Sequence, residues 1–164
     1  MYKKLKKLYR RLNPFIKVIK VVEGSSKLER HGNCFDIVNK YGININTHGG
    51  EFRQCVQSLQ FKATLPKHYR GILHQRSSTQ KYGIIPSGGY GEIEWDYTGH
   101  WMACFTALQN LVQIPPGTRT HQFHIEPVWD APWYVKLTDI FSVFVFEEVK
   151  ELTTSRGGLG STGV

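Results

Sequence analysis

The sequence lacks the features of a membrane-spanning or disulfide-bonded protein. Its 164 residues contain no uninterrupted apolar run of about 18, the length that predicts a membrane-spanning helix. Cysteine is scarce as well. The three cysteines, Cys34, Cys55 and Cys104, are an odd number and show no CxxC or CxxH spacing. These absences argue against a disulfide framework and a zinc site, so we expect a soluble protein in the reducing cytoplasm.

Acidic residues are missing from the first twenty positions, which hold eight of the 21 Lys and Arg residues. Beyond them, the remaining 13 basic residues balance the 13 acidic ones. Residues 1–14 therefore form a basic N-terminal extension, and Pro14 would end any helix within it. Residues 1–13 have two interpretations: binding to an anionic partner, either nucleic acid or a membrane surface, or a solvated segment without a partner. Four apolar residues recur at helical spacing between the basic ones: Leu5, Leu8, Tyr9 and Leu12.

Beyond Pro14 the sequence consists of short segments rich in β-branched and aromatic residues, separated by Gly, Asn, Ser and Pro clusters. This spacing is typical of an antiparallel sandwich or barrel, and we predict one all-β domain over residues 15–150. A weak helical signal covers Tyr134 to Phe141. The predicted strands are Phe15 to Val22, Phe35 to Val38, Gly42 to Asn46, Val56 to Leu65, Ile72 to Gln75, Gly91 to Ile93, Trp101 to Leu108, His121 to Ile125 and Phe141 to Val149.

The C-terminal segment, residues 151–164, combines four glycines with Ser161 and Thr162 behind a single arginine. Glycines let the backbone point several amide groups at one anion, and Arg156 can clamp a phosphate. A flexible tail of low complexity has the same composition, and the GK[ST] ending of a Walker loop is absent. This segment alone leaves both interpretations open.

Two further segments carry groups suited to phosphate. Arg76, Ser77 and Ser78 follow an apolar run, so a strand would deliver a guanidinium and two hydroxyls to a loop. Arg119 and Gln122 follow a predicted turn after Pro116, where they could anchor a ligand or tie two loops together. The segment with Arg76, Ser77 and Ser78 has a second interpretation, an ordinary polar turn.

A predicted hairpin from Gly88 to Trp101 places Glu94 and Asp96 two residues apart, on one face of an extended chain. A carboxylate there could activate water beside a magnesium-bound polyphosphate, or it could only blunt a strand edge with charge. Of the seven histidines, only His121 and His124 are close in sequence. They would face opposite sides of a strand, which favours structural roles over shared metal ligation.

In their order, these segments resemble the five motifs of the trimeric dUTPase family, from roughly Phe15 to the C-terminus. The family patterns are about AGYDL, PRSS, GxIDxDYxG, GxRxxQ and RGxGGFGSTG. The similar segments here are Asn33 to Ile37, Gln75 to Ser78, Gly91 to Gly99, Gly117 to Gln122 and Arg156 to Gly163.

The resemblance implies a distorted jelly-roll β-barrel that forms a homotrimer with exchange of its C-terminal strand or tail. Each site would combine segments of three subunits, with residues 151–164 as a lid. The implied activity is hydrolysis of dUTP to dUMP and pyrophosphate with Mg²⁺.

The resemblance also implies individual roles. Glu94 would activate the water, Arg76 would buttress that acid, and Asp36 would contact magnesium through water. Tyr97 would lie against the deoxyribose. The implied substrate-binding residues are Ser77, Ser78, Gly91, Ile93, Tyr97, Gln122, Arg156, Leu159, Gly160, Ser161 and Thr162.

Two departures from the family pattern matter for activity. Glu94 stands where the family has aspartate, and a shift on the order of 1 Å in a reacting group can cost about a hundredfold in rate. Leu159 replaces a phenylalanine that stacks on uracil. A catalytically weakened binding or structural protein is therefore an alternative. A dCTP deaminase is less favoured, because the segment after Trp101 lacks the acid that this enzyme needs.

Overall fold

The structure is a computed structural model that describes Tyr9, residues 12–46 and residues 53–152. Residues 1–8 of the basic extension lie outside this part, and so do the predicted lid residues Arg156, Leu159, Gly160, Ser161 and Thr162.

The described residues form thirteen strands, one 3-10 helix and one short α-helix. The 3-10 helix is Ser77–Tyr82 and helix α1 is Trp133–Asp139. The strands are β1 (Ile16–Val22), β2 (Lys27–His31), β3 (Cys34–Val38), β4 (Ile43–Asn46), β5 (Arg53–Ser58), β6 (Ala63–Thr64), β7 (Tyr69–Gln75), β8 (Ile84–Pro86), β9 (Gly91–Glu94), β10 (Met102–Ala107), β11 (Leu111–Ile114), β12 (Arg119–Pro127) and β13 (Val143–Val149).

Within the described ranges the strands form four sheets, in the orders β13-β1-β6, β5-β10-β8, β11-β4 and β2-β3-β12-β7-β9. Pairing is antiparallel except between β1 and β13, which run parallel from Ile16 opposite Val143 to Val22 opposite Val149. The prediction of an all-β, jelly-roll-type barrel is confirmed.

One large apolar cluster fills the barrel around Trp101, which has no solvent exposure. Its ring meets Phe61 and Phe123 edge-on, at centroid distances of 5.0 and 4.8 Å. The indole nitrogen donates a hydrogen bond to the carbonyl of Ala63 (3.3 Å), as a buried tryptophan requires. A smaller cluster of Tyr69, Ala131 and Val135 joins α1 to the barrel.

The predicted strand from Val56 to Leu65 is wrong as one element. Gln60 has a φ of 53°, a left-handed conformation that interrupts a strand, so β5 ends at Ser58 and β6 begins at Ala63. Strands β2, β8 and β11 were not predicted. The helical signal after Pro132 corresponds to α1. No helix in the described part is long and apolar enough to cross a bilayer.

Candidate active site

The five-stranded sheet has one apolar and one polar face. On the apolar side, Phe35 of β3 packs on Phe123 of β12, with ring centroids 5.4 Å apart. Alternation turns the neighbouring residues to the other side. There the strand register sets four polar residues directly across from one another, in the order Glu29, Asp36, Gln122 and His74. Directly opposite residues are side-chain neighbours, so this row forms the floor of a polar surface.

Asp36 is the buried centre of this surface. Its side chain has no solvent exposure, and neither carboxylate oxygen has a hydrogen-bond partner among the described residues. Three basic groups surround one oxygen, Oδ2: Arg76 Nη1 at 3.3 Å, Arg119 Nη1 at 3.7 Å and His31 Nε2 at 3.7 Å. A buried carboxylate is tolerated when cations compensate it, so Asp36 acts as the counter-ion of two arginines from two predicted motifs.

Two residues of strand β2 also hold the Arg119 side chain. Its Nη1 donates to Glu29 Oε2 at 2.9 Å and contacts His31 Nε2 at 2.6 Å. Because a guanidinium can only donate, the His31 nitrogen accepts and the imidazole proton lies on Nδ1. Sequence reasoning missed Glu29 and His31, since they lie in an unpredicted strand before the first motif.

The second motif turns from strand into the 3-10 helix at Arg76, whose backbone N–H donates to the carbonyl of Thr120 (2.9 Å). Ser77 and Ser78 follow and are exposed. Gln75 stands where the family that this chain resembles has proline. Its amide donates to Thr79 Oγ1 at 2.7 Å and to the carbonyl of Ile84 at 3.0 Å, which fixes the turn by hydrogen bonds.

The third motif lies at the other end of the sheet. Strand β9 pairs with β7, with Gly91 opposite Leu73, buried Ile93 opposite Gly71, and exposed Glu94 opposite Arg70. Arg70 is six residues before Arg76, which is roughly 20 Å of extended chain. Within one chain, therefore, the structure brings Asp36, Arg76 and Gln122 together but not Glu94.

Tyr97 packs against the edge of the core, and burial raises the pKa of its phenol. The hydroxyl donates to the carbonyl of His100 at 2.9 Å. A Cβ on Gly99 would lie 2.6 Å from the ring carbon Cζ, so only glycine leaves room for this ring position. The spacing DYxG is thus a local packing requirement.

Histidines 121 and 124 do face opposite sides. His121 is buried, and desolvation lowers the pKa of its imidazole to about 4, so it is neutral near pH 7. His124 stacks on His74 at a centroid distance of 5.3 Å, on the polar face. Desolvation, and then the neighbouring His124, lower the pKa of His74. Among the described contacts, neither His121 nor His124 touches Asp36, Arg76 or Arg119.

Within the described ranges, no group of three or more His, Cys, Asp or Glu side chains could hold a metal ion. Direct ligation by Asp36 would also bring a dication against Arg76 and Arg119, which repel it. The two Asp36 oxygens keep unused acceptor capacity, but the side chain has no solvent exposure. A Mg²⁺ ion would therefore be held mainly by substrate phosphates, as is common for this ion.

Comparison with known proteins identifies the family model described as dUTPase, which matches residues 29–163. The deoxyuridine 5'-triphosphate nucleotidohydrolase of Francisella philomiragia is 29% identical over 116 residues, covering 70% of this chain and 72% of the relative. That of Francisella tularensis subsp. novicida is 28% identical with the same coverage.

Solved structures share the fold. A mutant dUTPase from phage phi11 of S. aureus, described with a structural Mg(II) ion, has a TM-score of 0.56 at 16% identity, covering 70% of this chain and 93% of that one. A mutant of Staphylococcus bacteriophage 80alpha dUTPase with dUpNHpp has a TM-score of 0.56 at 17% identity, covering 89% of this chain and 98% of that one. EIAV dUTPase has a TM-score of 0.53 at 22% identity, covering 70% and 95%.

Proposed function

Because the chain belongs to the dUTPase family, we propose that it hydrolyses dUTP to dUMP and pyrophosphate, with Glu94 as the base that activates water. The observation that carries this proposal is the grouping of Asp36, Arg76 and Gln122, three motif residues far apart in sequence, on one polar surface. The surface holds two guanidiniums against two carboxylates, those of Asp36 and Glu29, and the remaining guanidinium N–H groups suit the oxygens of a triphosphate.

In the proposed reaction, Glu94 accepts a proton from the water whose oxygen bonds to the α-phosphorus. The bond from that phosphorus to the bridging oxygen breaks, and pyrophosphate leaves. Arg76, Ser77, Ser78 and Gln122 hold the phosphates, with Arg119 beside them. Fixed cations of this kind stabilise the charge that develops in the transition state.

The base and sugar would be held by the hairpin. Backbone groups of Gly91 and Ile93 would read uracil, and Tyr97 would lie against the deoxyribose. The lid residues Arg156, Leu159, Gly160, Ser161 and Thr162 would close over the nucleotide and exclude water.

The separation of Glu94 from Arg76 within one chain supports a homotrimer. The strand register sets their backbones roughly 20 Å apart, so the two side chains do not meet within one chain. We propose that Glu94 of one copy faces Arg76 of another, with the C-terminal segment exchanged between copies.

Magnesium is proposed as the cofactor, gathered mainly by the triphosphate and reached from Asp36 through water. When bound, it would neutralise phosphate charge. The cytoplasm is proposed as the compartment, because three cysteines without pairing or metal spacing suit a reducing environment.

Pyrophosphate release from dUTP, dCTP and dTTP with magnesium tests the activity. Glu94→Ala should abolish turnover of dUTP, and Glu94→Asp should retain or increase it. Glu92→Ala is the matched control, because Glu92 lies two residues away on the same strand and pairs with Arg70 at 2.9 Å. Turnover in Glu94→Ala equal to that of the native chain would rule out Glu94 as the base.

A second candidate is a dUTPase-fold binding protein with weakened turnover, which the replacement of aspartate by Glu94 and of phenylalanine by Leu159 favours. It predicts tight dUTP binding by calorimetry with negligible pyrophosphate release. Release of ammonia from dCTP, without pyrophosphate, would instead favour a deaminase-like activity.

A further inference from the structure

Strand β12 contains one extra residue, which explains how two of its polar side chains share a face. Residues three positions apart lie on opposite faces of a regular strand. Arg119 and Gln122 are three apart, yet the first contacts Asp36 at 3.7 Å and the second lies directly opposite it. The pairing of β12 with β3 shifts its register between Arg119 and His121. Thr120 is therefore the extra residue of a β-bulge, and the bulge turns Arg119 and Gln122 to the same side.

The side chain of Thr120 is buried in a chain of hydrogen bonds. Thr120 and His121 are consecutive, and both are buried, with 0% and 3% exposure, as the bulge requires. Thr120 Oγ1 donates to Asn39 Oδ1 at 3.1 Å. Because this hydroxyl has a single proton, His121 Nδ1, which lies 3.1 Å from it, is the donor in their contact. The chain of hydrogen bonds thus runs from His121 through Thr120 to Asn39.

Asn39 and Thr120 also connect the backbones of neighbouring segments. Asn39 directly follows strand β3. Its N–H donates to the carbonyl of Thr118 at 3.0 Å, and its carbonyl accepts from the N–H of Gly117 at 2.8 Å. The carbonyl of Thr120 accepts from the N–H of Arg76 at 2.9 Å. The two residues therefore link the segments that follow β3, precede β12 and follow β7.

We propose that Asn39 and Thr120 are positioning residues of the dUTP site, because their buried hydrogen bond fixes the bulge that places Arg119 and Gln122. This inference rests on the proposed function, since it concerns how that site holds a triphosphate. Among the described hydrogen bonds, neither side chain contacts Arg76, Arg119 or Gln122, so the effect is transmitted through the backbone. Loss of the hydroxyl would leave Asn39 Oδ1 and the His121 N–H buried without this partner, which favours a local shift of the bulge.

Substitutions that differ by one hydroxyl test the proposal. Thr120→Val nearly keeps the shape of the side chain, and should raise KM for dUTP about threefold to tenfold with kcat almost unchanged. Thr120→Ser keeps the hydroxyl and should restore most of the affinity. Thr106→Val is the matched control, because Thr106 on β10 shares its hydroxyl with Ser87 at 2.6 Å, outside the five-stranded sheet. This control should keep the native KM.

Asn39→Ala breaks the same hydrogen bond from the other side. Combined with Thr120→Val, it should raise KM little beyond the larger single effect, because one interaction is lost only once. The Kd of the nonhydrolysable analogue dUpNHpp, measured by calorimetry, should change in parallel with KM in each variant. Where Thr120→Val does not fold, Asn39→Ala carries the test alone.

A native KM in folded Thr120→Val or in Asn39→Ala would overturn the proposal, and so would additive effects or an equal rise in Thr106→Val. A fall in kcat with KM unchanged would also overturn it. Failure of the proposed function looks different. If the native chain binds dUpNHpp but releases no pyrophosphate from dUTP, turnover is rejected, while the Kd values still decide the positioning role. No binding of dUpNHpp by the native chain would reject both.

Discussion

The guanidinium of Arg76 lies 3.3 Å from the carboxylate of Asp36, which has no solvent exposure. The two residues are forty positions apart and belong to different motifs. Their contact requires β3 and β7 to flank β12 in one sheet, with Arg76 just past the end of β7. The pair therefore couples the integrity of the sheet to the placement of a phosphate-binding cation.

A double-mutant cycle should reveal this coupling. Asp36→Asn leaves Arg76 without its main counter-ion, and Arg76→Gln leaves a carboxylate buried beside fewer cations, so each change should destabilise the fold. We expect a coupling free energy on the order of 1 to 2 kcal/mol, because the arginine is still partly hydrated. Denaturant unfolding of the four chains measures it. A parallel cycle on Arg70 and Glu92, a more exposed pair, should give a smaller coupling.

The contact of His31 with Arg119 should affect substrate binding more than chemistry. His31→Ala removes the acceptor that holds Nη1 at 2.6 Å, so Arg119 becomes less ordered and KM for dUTP should rise about threefold to tenfold. His31→Gln keeps an acceptor oxygen and should retain most of the affinity. If His31→Ala instead lowers kcat with KM unchanged, Arg119 acts on the reaction and not on ground-state binding.

The motif strands were predictable because each contains a short apolar run, such as Ile72 to Leu73, with polar residues on both sides. Strand β2, with the sequence KLERH, was not, because it is exposed except at Leu28 and carries almost no apolar signal. Strand β2 forms through its pairing with β3, which the local sequence of β2 does not predict. That strand supplies Glu29 and His31, so the sequence alone predicted the arginines but not what orients them.

Subunit complementation should test whether the site spans copies. Co-expressed Glu94→Ala and Arg76→Ala chains should form mixed assemblies in which some sites combine an intact Glu94 from one chain with an intact Arg76 from another. Pyrophosphate release should then exceed that of either variant alone. Mixing Glu94→Ala with Gln122→Ala should behave alike, whereas Arg76→Ala with Gln122→Ala should not recover, because those two residues belong to one polar surface. Absence of recovery in every mixture would favour a site within one chain.

Stability should fall in weak acid because of His121. The pKa of its imidazole is about 4 in the folded chain against the ordinary value of 6.5 for a solvated histidine, so unfolding takes up a proton between these values. The contribution is fully present above pH 6.5 and is lost as the pH falls towards 4, by on the order of 3 kcal/mol. His121→Asn should show a flatter dependence in denaturant unfolding across this window. His100→Asn, at an exposed position, is the control for the loss of one imidazole.

Gly99 should tolerate no side chain as long as Tyr97 is present. In Gly99→Ala the new Cβ would meet Cζ of Tyr97 at 2.6 Å, so the ring must move and its hydrogen bond to His100 is lost. We expect a loss of about 1 to 3 kcal/mol in unfolding free energy, together with weaker discrimination between dUTP and UTP. The same substitution in a Tyr97→Ala background should cost little more, because the clash is gone. Gly91→Ala is the steric control, since its Cβ would meet Leu73 Cβ at an ordinary 3.6 Å. Equal destabilisation by Gly99→Ala with and without Tyr97 would show that the backbone at this position, and not the ring, requires glycine.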